Sequence, residues 1–220
     1  MAKVYTTQNK TLVFDPEVDN ANLVVAYRGL GPEYKKSYSY DTAQWLLGEA
    51  RSGVGKDLES KIIFVVPDDY NQDCATCIQQ AAQVIKTKVT SYSLCGFSKG
   101  GSQVYKNLTL KTWKVLGLID PVSPTMVKKS PQERYDDDVI DDYVSKIRCV
   151  YGVSHWGVPP PKDRKPKDYT DNDWSYVKTK SFHDHLEEIK AEMTDDEKDD
   201  HSEMPRVFFK KYGSAFVVPS

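Results

Sequence analysis

Long apolar runs are missing from this 220-residue chain, and without a run of about 18 such residues no membrane-spanning helix is expected. The opening segment MAKVYTTQNKTLVF has neither the apolar stretch nor the small-residue cleavage site of a secretory leader, so a cytoplasmic location is expected. Neither sign of charge is in excess. Thirty Lys and Arg stand against 32 Asp and Glu, a net charge of -2, which leaves no overall positive field to gather nucleic acid or an anionic bilayer. Four cysteines are too few for a disulfide scaffold. Cys74 and Cys77 form a CxxC, but no second CxxC or HxxxH accompanies them, so ordinary surface and core positions of a helix are expected rather than a redox or zinc site. Cys95 and Cys149 sit in apolar runs and read as small core residues. The acidic runs at 136–138, 141–142 and 195–200 lack the ligand spacing and glycine of a calcium loop; they read as solvated helix faces, and no metal is expected.

What is present is the material of a folded core: 39% hydrophobic residues, 14 Tyr and 4 Trp. Five short runs rich in apolar and β-branched residues, at 23–27, 62–66, 89–95, 115–119 and 147–151, read as buried strands. They are hydrophobic almost throughout, without strict alternation. A strand needs that pattern when helices cover both faces of a parallel sheet. Between them, residues 42–49, 74–86, 101–109 and 131–145 carry helical patterns. At the amino end, residues 4–7 and 11–14 flank a turn and predict an antiparallel hairpin at the sheet edge. The expected fold class is therefore α/β: a three-layer α/β/α sandwich around a mostly parallel sheet with an amino-terminal antiparallel hairpin, residues 1–220 forming one domain. The proline-rich stretch 157–172 reads as an irregular, lid-like loop. Beyond it a short strand at 175–179, a helix at 186–193 and an apolar-aromatic tail at 206–218 that packs back on the domain are expected.

The informative segment is SLCGFSKGGSQVY, in which Gly96, Phe97, Ser98, Lys99 and Gly100 fit G-x-S-x-G and Gly101 adds another glycine. A β-rich run precedes it and an amphipathic run follows. Chemistry at such a serine needs a sharp reversal from strand to helix, with the serine in a strained backbone conformation and neighbours lacking a Cβ. The backbone N–H of Lys99 would then point at an oxyanion formed there. Gly53, Gly55 and Lys56 superficially suggest a phosphate loop, but Ala50 stands where GxxxxGK needs glycine and no strand immediately precedes, which disfavours ATP.

The segment LCGFSKGGSQVY resembles the nucleophile elbow of the α/β-hydrolase superfamily, and the order of elements from about residue 4 to 185 is similar to that superfamily's. The resemblance implies a serine hydrolase acting on a small-molecule acyl substrate, an ester or thioester more readily than a peptide, with no cofactor. It also implies a second oxyanion donor in the loop after an early strand. Here Arg28, Gly29, Leu30 and Gly31 follow the first parallel strand; Arg28 stands where the family usually has histidine, and the amide of Leu30 is the candidate.

A neutral serine hydroxyl is a poor nucleophile, so a histidine must take its proton and an acid must orient that histidine. Of the four histidines, His201 lies in an acidic segment and His155 directly follows a strand, where the superfamily often has its acid. The run SFHDHLEEIK matches the family's late histidine loop. His183 is preferred over His185 because it lies closer to the preceding strand. The chain departs from the family pattern at GVSHWG, where histidine replaces the expected acid. Asp120, at the carboxyl end of the preceding strand, preserves the order Ser, Asp, His, while Asp163 and Asp168 are weaker candidates. His155 and Trp156 fall at the sheet's carboxyl edge and read as substrate-binding. These departures leave a second possibility, a hydrolase-like scaffold that binds a ligand or protein partner without turnover. Neither the acyl group nor the oligomeric state is encoded in any recognisable motif.

Overall fold

The computed structural model describes residues 2–29, 42–121, 148–152, 165 and 202–217. Its strands are β1 (Lys3–Thr6), β2 (Leu12–Asp15), β3 (Asn20–Tyr27), β4 (Ile62–Val66), β5 (Lys88–Phe97), β6 (Trp113–Ile119) and β7 (Arg148–Gly152). They form one sheet in the order β1-β2-β4-β3-β5-β6-β7. From β4 through β7 every neighbouring pair is parallel, whereas β2 runs antiparallel to both β1 and β4. The hairpin expected from the sequence is therefore present, with β1 at the edge and β2 joining it to the parallel body.

The helices are α1 (Ala43–Glu59), α2 (Cys74–Val84), α3 (Gly101–Lys106) and α4 (Met204–Tyr212). Alternate strand residues enter two separate cores, which is why the strands read as continuous apolar runs. Val25, Leu94, Leu116 and Leu118 face Cys77, Ile78 and Ala81 of α2 and Val104 of α3. Val24, Phe64, Cys95 and Val115 face Leu46 and Leu47 of α1 and Phe208 and Phe209 of α4. The sheet thus lies between two helical layers, as expected.

Helix α1 starts where the sequence implies, with the Thr42 hydroxyl accepting the Trp45 amide at 3.1 Å as its cap. It runs ten residues beyond the expected end at 49. Gly53 and Gly55 disguise that continuation, and each has a tertiary reason. Gly55 has φ +72° and forms a kink within the helix. A Cβ on Gly53 would lie 2.7 Å from Phe209 Cβ and hard against the Arg206 carbonyl, so this glycine lets α4 approach α1 closely. Neither belongs to a phosphate loop. The tail packs back as expected, through Phe64, Phe208, Phe209 and Phe216, whose ring centroids stand 5.3 Å apart for Phe208 and Phe209 and 5.6 Å for Phe64 and Phe209. Asn22, buried in β3, donates to the Phe216 carbonyl at 2.8 Å and to Ser93 Oγ at 3.0 Å, tying the tail to the middle of the sheet.

Helices α2 and α3 end two and three residues earlier than the sequence pattern suggests. The segments expected at 131–145, 157–172, 175–179 and 186–193 and the three acidic runs lie outside the described residues, apart from exposed Lys165.

Asp15 closes β2 and holds the start of β5. Its carboxylate accepts the amides of Glu17 at 3.0 Å and Lys86 at 2.6 Å and the hydroxyl of Thr87. Burial alone would raise its pKa, but these hydrogen bonds outweigh burial and hold it below the usual 3.8. Glu17, beside Lys86 at 3.0 Å and Lys3 at 3.4 Å, is lowered from 4.5 to about 2. For both groups the folded pKa lies below the unfolded one, so their stabilisation is complete above the unfolded value and is lost as pH falls through the folded one. The urea midpoint is therefore expected to fall between pH 4.5 and about 2. Asp15→Asn is expected to lose ~1–3 kcal/mol at neutral pH and to show a shallower acid limb. An unchanged acid limb in Asp15→Asn would exclude this carboxylate as a source of the pH dependence.

Candidate active site

Strand β5 leaves the sheet at Phe97 in extended conformation, and Ser98 immediately turns the chain with φ +51°. That is the left-handed region, costly for a residue with a Cβ. A single 3-10 turn, Ser98–Gly100, then leads into α3, and the Ser102 hydroxyl donates to the Lys99 carbonyl at 3.0 Å to close it.

Each of the three glycines around the turn clears a different neighbour. A Cβ on Gly96 would stand 2.6 Å from Gly100 C and from Gly101 Cα, inside the turn itself. On Gly100 it would stand 2.6 Å from the Tyr27 carbonyl oxygen and hard against that of Arg28, where β3 ends. On Gly101 it would stand 2.6 Å from Pro121 Cβ, just past β6. The motif G-x-S-x-G-G is thus the imprint of a turn wedged between the exits of two neighbouring strands.

Those exits bring the described candidates together. Phe97 pairs with Ile119, so the residues that follow them, Ser98 and Asp120, leave adjacent parallel strands side by side. Asp120 also has positive φ, +43°, and is fully buried, while Ser98 is 8% exposed. On the other side Tyr27 pairs with Gly96, which sets Arg28 and Gly29 beside the turn. The chain proceeds from β3 outward to β4 and then returns past β3 to β5, so the strand order reverses between β3 and β5. Open α/β sheets bind ligands in the crevice at such a reversal. Lys99 is buried, in the first turn after β5. Leu30, His155, Trp156, Asp163, Asp168, His183, His185 and His201 lie outside the described residues.

The structure adds two residues to this end of the sheet, Asp68 and Tyr70. The Arg28 guanidinium, buried, donates from Nε to the Asp68 carbonyl and from Nη1 to the Gly29 carbonyl at 3.2 Å. The Lys99 ammonium sits 4.6 Å from the centroid of the Tyr70 ring. Asp68 and Tyr70 follow β4 directly in PDDY, and their place at the carboxyl end of a parallel strand was the available signal.

Cys74 and Cys77 are both fully buried free thiols at the start of α2, so neither occupies a surface position. A helix amino terminus tends to lower a thiol pKa, but burial dominates and pushes Cys74 up to about 12 and Cys77 up to about 11. Near neutrality they are thiols rather than the thiolates that disulfide exchange requires. Among the described residues no group of three or more His, Cys, Asp or Glu is arranged to hold a metal ion, and no helix is long and apolar enough to cross a membrane.

No protein-family model matches the chain, and no curated protein matches it in sequence. Solved structures do. An S-formylglutathione hydrolase from Agrobacterium tumefaciens is similar over 99% of this chain and 95% of its own, at 12% identity and a TM-score of 0.52. A siderophore hydrolase from Aspergillus nidulans is similar over 99% of this chain and 93% of its own, at 8% identity and a TM-score of 0.51. Strand order, a serine turn after β5 and full-length likeness to these structures agree: the chain has the α/β-hydrolase fold.

Proposed function

We propose that this protein is a serine hydrolase that cleaves a carboxylic ester or thioester of a small molecule through an acyl-enzyme. The observation that carries the reading is the left-handed Ser98 at the β5 turn, register-aligned with the buried carboxylate of Asp120. That the Agrobacterium and Aspergillus proteins with this fold are hydrolases supports hydrolysis in general.

In this mechanism the Ser98 Oγ attacks the acyl carbonyl carbon and its proton passes to the imidazole of His183, with His185 the other candidate for that base. The carbonyl π pair moves onto oxygen, and the amides of Lys99 and Leu30 stabilise the resulting charge. Collapse breaks the bond to the leaving alcohol or thiol, which takes the proton from the imidazolium. Water, deprotonated by the same imidazole, then attacks the acyl-Ser98 carbon and releases the acid. Asp120 orients the imidazole and stabilises its charged form. His155 and Trp156 are assigned to binding the acyl or leaving group. No step requires a cofactor.

Fluorophosphonate labelling tests the reading. Stoichiometric phosphonylation of the folded protein, mapped to the peptide containing Ser98, is expected. A folded protein that takes up no label and turns over no acetyl ester would instead be a hydrolase-like binder.

A further inference from the structure

The short segment between β4 and α2, residues 67–73, touches both sides of the serine turn. Its Asp68 carbonyl accepts the Arg28 guanidinium, which also holds the Gly29 carbonyl at 3.2 Å; its Tyr70 ring lies 4.6 Å from the Lys99 ammonium. Arg28 and Lys99 are buried, so their side chains are held in place rather than sampling solvent. The backbone of Arg28 is itself packed against Gly100, where no Cβ fits. The segment is braced in turn. Asp69 accepts the amide of Asn71 at 2.8 Å on its side chain and that of Gln72 at 3.0 Å on its carbonyl. The Gln72 side chain donates to Thr11 at 2.9 Å, and the buried Tyr27 hydroxyl donates to the Gln72 carbonyl at 2.7 Å.

We propose that the 67–73 segment is a positioning element for the reaction at Ser98, acting through two contacts beside the serine turn, Asp68 with Arg28 and Tyr70 with Lys99. The proposal rests on the serine-hydrolase reading above. A guanidinium forked between two carbonyls on different segments fixes the separation of the β3 and β4 exits. A cation over an aromatic face anchors the end of the Lys99 side chain and so narrows the orientations open to the Ser98–Lys99 peptide, whose N–H is the oxyanion donor in the serine-hydrolase reading. Such a donor stabilises the transition state more than the bound ester, so misplacing it lowers kcat and leaves KM nearly unmoved.

The test compares wild type, Tyr70→Leu, Tyr70→Phe and Arg28→Lys for acetyl-ester turnover and for inhibition by an aryl trifluoromethyl ketone, whose hemiketal oxygen mimics the oxyanion. Tyr70→Leu is expected to lower kcat about tenfold and weaken the ketone by the same factor, with KM changed less than about twofold. Tyr70→Phe keeps the ring face and is expected to match wild type. Arg28→Lys loses the fork and is expected to behave as Tyr70→Leu does. Tyr70 is half-buried on a loop, so its variants keep the test valid should Arg28→Lys fail to fold. A folded Tyr70→Leu protein with wild-type kcat and ketone affinity, or with a change in KM alone, overturns the proposal while leaving a Ser98-labelled wild type intact. An unlabelled wild type overturns the hydrolase reading and this inference together.

Discussion

Ser98→Ala is expected to lower ester turnover about 10⁶-fold while leaving the melting temperature nearly unchanged. In the proposed mechanism the kinetic loss is large because no covalent intermediate can form without the Oγ, and the imidazole then has no hydroxyl to deprotonate. What remains is the effect of binding and the oxyanion donors acting on water, on the order of 10³–10⁴ over the uncatalysed reaction. The structural effect is small for a separate reason. Ser98 sits at φ +51°, where the strain comes from its Cβ, and alanine has the same Cβ. Circular dichroism melts with acetyl-ester kinetics check both halves. Turnover that survives the substitution would place the reaction at some other group.

Gly100→Ala is expected to cost more than ~4 kcal/mol and to leave little folded protein, a loss comparable with the whole stability of a marginal domain. The added methyl would meet the carbonyls of Tyr27 and Arg28, the first at 2.6 Å. Those atoms belong to the exit of β3, which pairs with β4 on one side and β5 on the other, so they cannot retreat without opening the centre of the sheet. Gly48→Ala is the matching control. Gly48 lies on the exposed side of α1 with nothing within 4 Å of its missing Cβ, and alanine there is expected to add ~0.5–1 kcal/mol through helix propensity. Equal soluble yields and equal urea midpoints for the two variants would contradict the packing described for the serine turn.

The residues differ in how much of this they disclose by themselves. Strand β4 is found where the run IIFVV predicts it, because burial on both faces demands apolar residues at every position and so leaves a continuous mark. The serine turn is readable for a similar reason: its glycines are a local necessity repeated at fixed spacing. Helix α1 was only half readable. Gly53 answers to α4, some 150 residues away in the chain, and no local pattern reports such a contact. The same holds for Arg28, whose partner Asp68 is 40 residues distant, and for Tyr70 under Lys99.

Short stretches of residues suffice for the α/β alternation, the hairpin and the candidate serine, since each is written in patterns a few residues long whose physics is local burial or backbone strain. That β5 lies between β3 and β6, so that Ser98 and Asp120 leave neighbouring strands and Arg28 and Lys99 meet one loop, emerges from the assembled sheet alone. Strand order depends on which crossovers bury the most apolar surface over the whole sheet, a sum over distant contacts that no short window of residues contains.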